Sequence, residues 1–140
     1  MGYGINKNKM QNFISKNKIS KNIKIINFQK NPYKFLKKSN LFILTSLYEG
    51  LPNVLLEAMV LKKFIISSNC PTGPKEILAN GKLGSLFKTQ DIKDLSNKIL
   101  DFNYDVYKNN KIIHNAFKSL TRFDFNTNCE EYFKIIKKFI

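Results

Sequence analysis

Glu49 and Glu57 stand eight positions apart, with Gly50-Leu51-Pro52-Asn53-Val54 between them. A Gly-Pro turn running into Val54-Leu55-Leu56 and Ala58-Met59 reads as a loop that opens a helix capped by Asn53. The first N–H groups of such a helix, at Asn53 and Val54, lack intrahelical acceptors and sit at the positive end of the dipole. That is a ready place for an anion. Glu49 would lie on the loop, pointing into a crevice, and Glu57 a little over one turn inside the helix. One carboxylate near a sugar, one near a ribose and N–H donors between them would suit a nucleotide-sugar diphosphate. Spacing alone fits equally well a surface-loop acid followed by an ordinary helix acid.

The elements that must position this segment alternate along the chain. Met10, Phe13 and Ile14 give the stretch 6–18 one apolar side, as in a surface helix. Ile23 to Phe28 is continuous and β-branched, predicting a buried strand. Asn31-Pro32 opens a helix through Lys38, with Pro in the first turn where its missing N–H is not needed. Further strands are predicted at Leu41–Leu44, Phe64–Ser67 and Leu83–Phe87. Helices are predicted from Asn53 to about Leu61, from Gly73-Pro74 to Asn80-Gly81, and over Asp91–Leu100. Two more follow Tyr104, broken near residues 123–126. Strand–helix alternation with crossovers of this length predicts one α/β domain over 1–140: a Rossmann-like parallel sheet with helices on both faces. Ligands of such sheets bind at the carboxyl ends of strands, which selects the loops 27–31, 45–53 and 68–74.

Composition narrows the classes. At 140 residues the chain can bury about 68% of its unfolded surface, enough for a core without staples. No apolar run approaches the roughly 18 residues of a membrane span, and the start carries no signal-peptide pattern. Cys70 and Cys129 form neither a disulfide framework nor a metal set. There is no Asp-x-Asp, and His114 is a lone helical histidine, so no metal is expected. The net charge of +14 raises the question of nucleic acid. Yet 23 of the 24 basic residues are Lys, and Lys, Asn and Ile together make 58 of 140 residues. All three types are favoured by A+T-rich codons, and readers of bases and phosphates lean on the planar fork of Arg. The lysines are also spread rather than striped. A nucleic-acid role is therefore disfavoured, while electrostatic attraction to an anionic membrane face stays compatible with the charge.

The wider string resembles the C-terminal, donor-binding half of the GT-B retaining glycosyltransferases of family 4, the glycosyl transferases group 1. Four pieces in order carry the resemblance. Gly2-Tyr3-Gly4 resembles a Gly-Asp-Gly turn with Tyr in place of Asp, and Phe28 to Tyr33 resembles the loop after the next strand. Glu49 to Glu57 matches the Glu-x7-Glu motif, Gly-Leu-Pro-Asn-Val included. Cys70 to Ile77, followed by Asn80-Gly81 and Gly84, resembles the next donor-side loop and helix, and Phe123-Asp124-Phe125 the closing segment.

The resemblance implies a function and roles. Glu49 would act at the reacting centre beside the donor sugar's hydroxyls. The N–H groups of Asn53 and Val54 would face the diphosphate, Gly50 and Leu51 would belong to the donor-binding set, and Glu57 would hold the ribose. Phe28 and Gln29 would lie against the base, while Thr72 and Gly73 would line the opposite wall. Lys30 and Lys75 are candidate phosphate cations, standing in for a basic pair that precedes this stretch in the family. The implied donor is a UDP-hexose or UDP-N-acetylhexosamine, used as substrate with no cofactor. The implied acceptor is a glycan or lipid-linked saccharide of bacterial surface-polysaccharide or lipopolysaccharide synthesis. The setting would be cytoplasmic, with peripheral contact at the inner face of the cytoplasmic membrane. The stretch is expected to be a donor half cut at its front, missing an N-terminal GT-B domain; the implied function is retaining sugar transfer, and the alternative is a donor-binding fragment without activity of its own.

Overall fold

Three apolar runs too short for helices form the sheet: β1 (Leu41–Leu44), β2 (Phe64–Ser68) and β3 (Ser85–Phe87). In this computed structural model, which describes residues 6–139, the strands pair in parallel in the order β1-β2-β3. Leu41 pairs with Phe64 and Leu44 with Ser67, while Ile66 pairs with Ser85 and Ser68 with Phe87. Every residue of the central strand β2 is buried, as a strand covered on both faces must be. The Gly2-Tyr3-Gly4 turn lies outside the described residues.

The helices are α1 (Lys7–Lys16), α2 (Tyr33–Lys38), α3 (Asn53–Val60), α4 (Pro74–Ile77), α5 (Ile92–Tyr104), α6 (Val106–Lys118) and α7 (Phe125–Ile136). Short 3₁₀ turns lie at Ala79–Gly81 and Ser119–Phe123. The crossovers β1–α3–β2 and β2–α4–β3 step the same way across the sheet. Such crossovers are right-handed almost without exception, which puts α3 and α4 on one face. The other face is the cluster of Phe64, Ile66 and Phe87, covered by Leu95, Ile99 and Phe102 of α5 and by Ile112 and Ile113 of α6. Phe64 and Phe102 meet ring to ring, 5.1 Å between centroids. Leu55, Ala58 and Met59 of α3 are wholly removed from solvent, as are Ile77 and Leu78 at the end of α4.

The described residues fall into two compact units, one ending at Lys38 and the other beginning at Ser39. In the first unit α1 buries Ile14 alone, while Met10 and Phe13 are exposed. Asn31 Oδ1 accepts from the Tyr33 N–H at 3.1 Å and so turns the chain into α2. The strand expected over Ile23 to Phe28 is absent from the sheet: these residues are irregular, and Ile23 and Phe28 are exposed. β-Branched composition satisfies a strand's side chains, but a strand also needs a ladder, and no described strand pairs with this run.

Acidic caps set the later helices. Asp91 accepts from the Asp94 N–H at 2.9 Å at the start of α5, and Asp105 from the Lys108 N–H at 2.8 Å at the start of α6. Asp124 does the same for α7, accepting from both the N–H (2.9 Å) and the hydroxyl (2.8 Å) of Thr127. Those bonds, the backbone one foremost, hold the Asp124 carboxyl below its ordinary value of 3.8.

Candidate functional site

All three strands end on one side of the sheet, so the loops after β1 and β2 rise together there. Their joining begins at the strand ends, where Ser68 Oγ donates to the Ser46 carbonyl at 2.6 Å. Higher up, Thr72 Oγ1 donates to the Glu49 carbonyl. Beside it, Gly73 has φ +80°, and a methyl group at its Cα would overlap the Gly50 carbonyl and the Pro52 ring. Only a residue without a side chain permits that approach. The Asn69 N–H donates to the Phe87 carbonyl at 2.8 Å, tying the second loop to β3 as well.

This bracing fixes the turn that leads into α3. Pro52, buried, is the N-cap, and its carbonyl accepts from the Leu55 N–H at 2.9 Å. Asn53, expected to cap the helix, is instead its first helical residue, and no side chain caps α3. Proline's fixed φ favours the extended conformation just ahead of a helix, so it takes the position that Asn side-chain chemistry would otherwise favour. The N–H groups of Asn53 and Val54 consequently have no acceptor among the described residues. Buried Leu55, Ala58 and Met59 hold the helix axis in place behind them. Asn53 is exposed and Val54 half-buried.

Glu49 and Glu57 are both half-buried, and neither side chain makes a hydrogen bond or ion pair among the described residues. Carboxylates of that kind, beside free N–H donors, are available to a ligand's hydroxyl groups. Gly50 and Leu51 are exposed in the turn between them. Thr72 and Gly73 form the facing wall, and Thr72 adopts φ +93°, a conformation β-branched residues seldom take. Lys75 is exposed on α4. Around it opens a cavity of about 710 Å³, lined by Asn69, Thr72, Glu76, Asn80 and Arg122 among others.

Glu49, Gly50, Leu51, Asn53, Val54, Glu57, Thr72, Gly73 and Lys75 all lie in the second unit, where Thr72 and Gly73 meet the Glu49–Pro52 turn. Phe28, Gln29 and Lys30 belong to the first unit. There Phe28 and Lys30 are exposed, and the Gln29 amide donates to its own loop, to the Phe28 carbonyl at 3.1 Å. Two contributors escape sequence reasoning: Ser68, the tie between the strand ends, and Arg122, whose signal was its being the chain's single arginine. Among the described residues no three His, Cys, Asp or Glu side chains gather as a metal site, and no helix is long and apolar enough to cross a membrane.

The fold is a Rossmann-like α/β domain, a parallel sheet flanked by helices. Crystalline Anabaena HepE with UDP-glucose superposes on the chain with a TM-score of 0.84 at 22% identity, covering 98% of this chain and 39% of that one. Residues 1–119 match the family described as glycosyl transferases group 1, and the chain belongs to that family. An uncharacterized glycosyltransferase of Methanocaldococcus jannaschii is 50% identical over 78 residues, which are 56% of this chain and 19% of that protein. A poly(ribitol-phosphate) alpha-N-acetylglucosaminyltransferase of Staphylococcus aureus is 28% identical over 121 residues, 86% of this chain and 24% of that protein. The chain thus spans a quarter or less of the length of these two relatives.

Proposed function

We propose that this chain is the donor-binding part of a retaining glycosyltransferase that uses a UDP-hexose or UDP-N-acetylhexosamine. The observation that carries the reading is the Glu49–Glu57 segment: two half-buried, unpartnered carboxylates flank two free N–H groups on a turn locked by Thr72 and Gly73. As the glycosidic bond breaks, negative charge grows on the departing diphosphate, and fixed N–H donors at Asn53 and Val54 lower the barrier there. Glu57 accepts hydrogen bonds from the ribose hydroxyls. Glu49 orients the sugar at the reacting centre. Lys75 lends positive charge from the facing wall. The reading needs no metal ion, because helix N–H groups and lysine take up the phosphate charge.

The acceptor in this reading is a glycan or lipid-linked saccharide of bacterial surface-polysaccharide synthesis, met at the inner face of the cytoplasmic membrane. The acceptor site and the rest of the catalytic crevice would come from an N-terminal GT-B domain. Support comes from relatives whose names describe transfer to poly(ribitol-phosphate), to diphospho-undecaprenol saccharides and to lipopolysaccharide. The bound UDP-glucose of Anabaena HepE supports the choice of base. A nuclear magnetic resonance titration with millimolar UDP tests the site. Amide signals of Gly50 to Val54 should move first; if they stay still while other loops respond, the site is misassigned.

A further inference from the structure

The chain uses lysine for 23 of its 24 basic residues and arginine once, at position 122. Wherever a plain positive charge suffices, this sequence supplies lysine, so the exception invites a geometric explanation. Arg122 lies in the 3₁₀ turn Ser119–Phe123. Its Nη2 donates to the Ile77 carbonyl at 2.9 Å, across 45 residues of sequence, and its Nε donates to the Ser119 carbonyl at 3.2 Å. Its guanidinium also lies over the Phe123 ring, 5.1 Å from the centroid. A lysine carries its donors on one nitrogen at the tip of a flexible stem, so it has no Nε to bond Ser119 while the tip reaches Ile77, and no plane to lie against Phe123.

The carbonyl that Arg122 takes is a consequential one. Ile77 is the last residue of α4, a helix of four residues; the Leu78 N–H goes to the Pro74 carbonyl at 3.0 Å, and the Ile77 carbonyl is left without a backbone donor among the described residues. Helices this short do not hold themselves together. At its other end α4 begins at Gly73, whose carbonyl accepts from the Ile77 N–H at 2.9 Å. Gly73 packs on Gly50, and Thr72 donates to the Glu49 carbonyl. A continuous line of contacts therefore runs from Arg122 through α4 to the turn that carries Glu49. We infer that Arg122 is a positioning residue: by clamping the end of α4 it sets the Thr72–Gly73 wall, and through it the Glu49–Gly50 turn. The value of that placement for donor binding rests on the function proposed above, whereas the clamp itself does not.

The test uses the whole chain, first without ligand. In Arg122→Lys, exchange of the Ile77 and Leu78 amide hydrogens should rise about tenfold or more. Exchange at Ile65 and Ile66 in β2 should stay within about twofold, and the amide signals of Glu49 and Gly50 should shift. Thr72→Val should shift the same two signals, and the double variant should move them no further than the larger single change. An equal rise in exchange across β2 and α4, or unmoved Glu49 and Gly50 signals, overturns the inference. If Arg122→Lys does not fold, Arg122→Met, which keeps a long stem but has no donor for the Ile77 carbonyl, decides by the same signals. A second arm titrates UDP, expected to bind Arg122→Lys more weakly than the parent. A parent chain that fails to bind UDP overturns the proposed function, while the ligand-free signals still judge the clamp. Equal UDP affinity in a variant with loosened α4 overturns the link between clamp and donor site.

Discussion

Helices α3 and α7 are stabilised by opposite means. α3, eight residues long, has no side-chain cap, and is held by three buried residues, Leu55, Ala58 and Met59. α7, twelve residues long, buries none, and leaves Phe125, Tyr132 and Phe133 exposed. Its hold is local: the Asp124–Thr127 bonds, and the Asn128 amide donating to the carbonyls of Asp124 (2.8 Å) and Arg122 (3.1 Å). The contrast has a functional meaning. A helix anchored by its core can leave its first N–H groups unsatisfied and aimed at a ligand, whereas a helix anchored by its cap has already used them.

Four measurements would break or sharpen this contrast. Removing the core anchor should have the largest effect: Leu55→Ala should destabilise the chain by about 2–5 kcal/mol in chemical denaturation. Phe133→Ala at an exposed position of α7 should stay within about 0.5 kcal/mol, and an equal loss in the two variants would abolish the distinction. Next comes the turn ahead of α3. Gly81 and Gly73 both have positive φ, but a methyl group at Gly81 would meet nothing within 4 Å. Gly81→Ala should therefore cost about 1 kcal/mol of backbone strain. Gly73→Ala should cost about 1–3 kcal/mol more for the overlap with Gly50 and Pro52, and similar melting temperatures for the two would refute the close approach.

The carboxylates come third. Glu57→Ala should weaken UDP binding by about 1.5–3 kcal/mol, or about 10- to 150-fold, because a charge-assisted hydrogen bond to the ribose is lost. Glu49→Ala should leave UDP affinity nearly unchanged and weaken UDP-glucose alone, since the role proposed for that carboxylate is toward the sugar. Equal losses of UDP in both variants would refute the division of roles. The smallest effect is expected from the cap of α7. Asp124 titrates below 3.8 in the folded chain, so the unfolded chain binds more protons in that range. The cap's contribution is complete above the unfolded value and is lost as pH falls through the lower folded one. Helical circular dichroism should decline over that acid interval, and Asp124→Asn should remove that part of the decline; an unchanged profile would exclude Asp124 as its source.

Much of this architecture is legible in the sequence because it depends on short-range pattern. Leu41–Leu44 and Phe64–Ser68 are strands because continuous apolar runs of that length fit a doubly covered sheet. The turn at Gly50-Leu51-Pro52 and the helix after it follow from proline and from helical periodicity. What sequence reading misses depends on partners. Ile23 to Phe28 has the composition of a strand without a ladder, and composition does not reveal a missing neighbour. The start of α3 depends on whether Pro52 or Asn53 leaves helical geometry first, a difference of one residue that propensity does not resolve. The positive φ of Thr72 runs against the habit of β-branched residues and follows from its bond to the Glu49 carbonyl. Arg122 is visible as a compositional exception, but its acceptor, 45 positions earlier, is set by tertiary structure alone.

The contact of Gly73 with Gly50 and Pro52 also constrains how sequences of this kind can change. A side chain at position 73 has nowhere to go unless the backbone at 50 or the ring at 52 withdraws. Withdrawal there would shift the first residues of α3, whose position is dictated from behind by Leu55 and Met59. Positions 52 and 73 are therefore expected to change together, whereas position 50 meets Gly73 only through its backbone, and a methyl group there would meet nothing within 4 Å. A chain that departs from glycine at 73 should carry a compensating change at 52, and reverting either member alone should be harmful where reverting both is not.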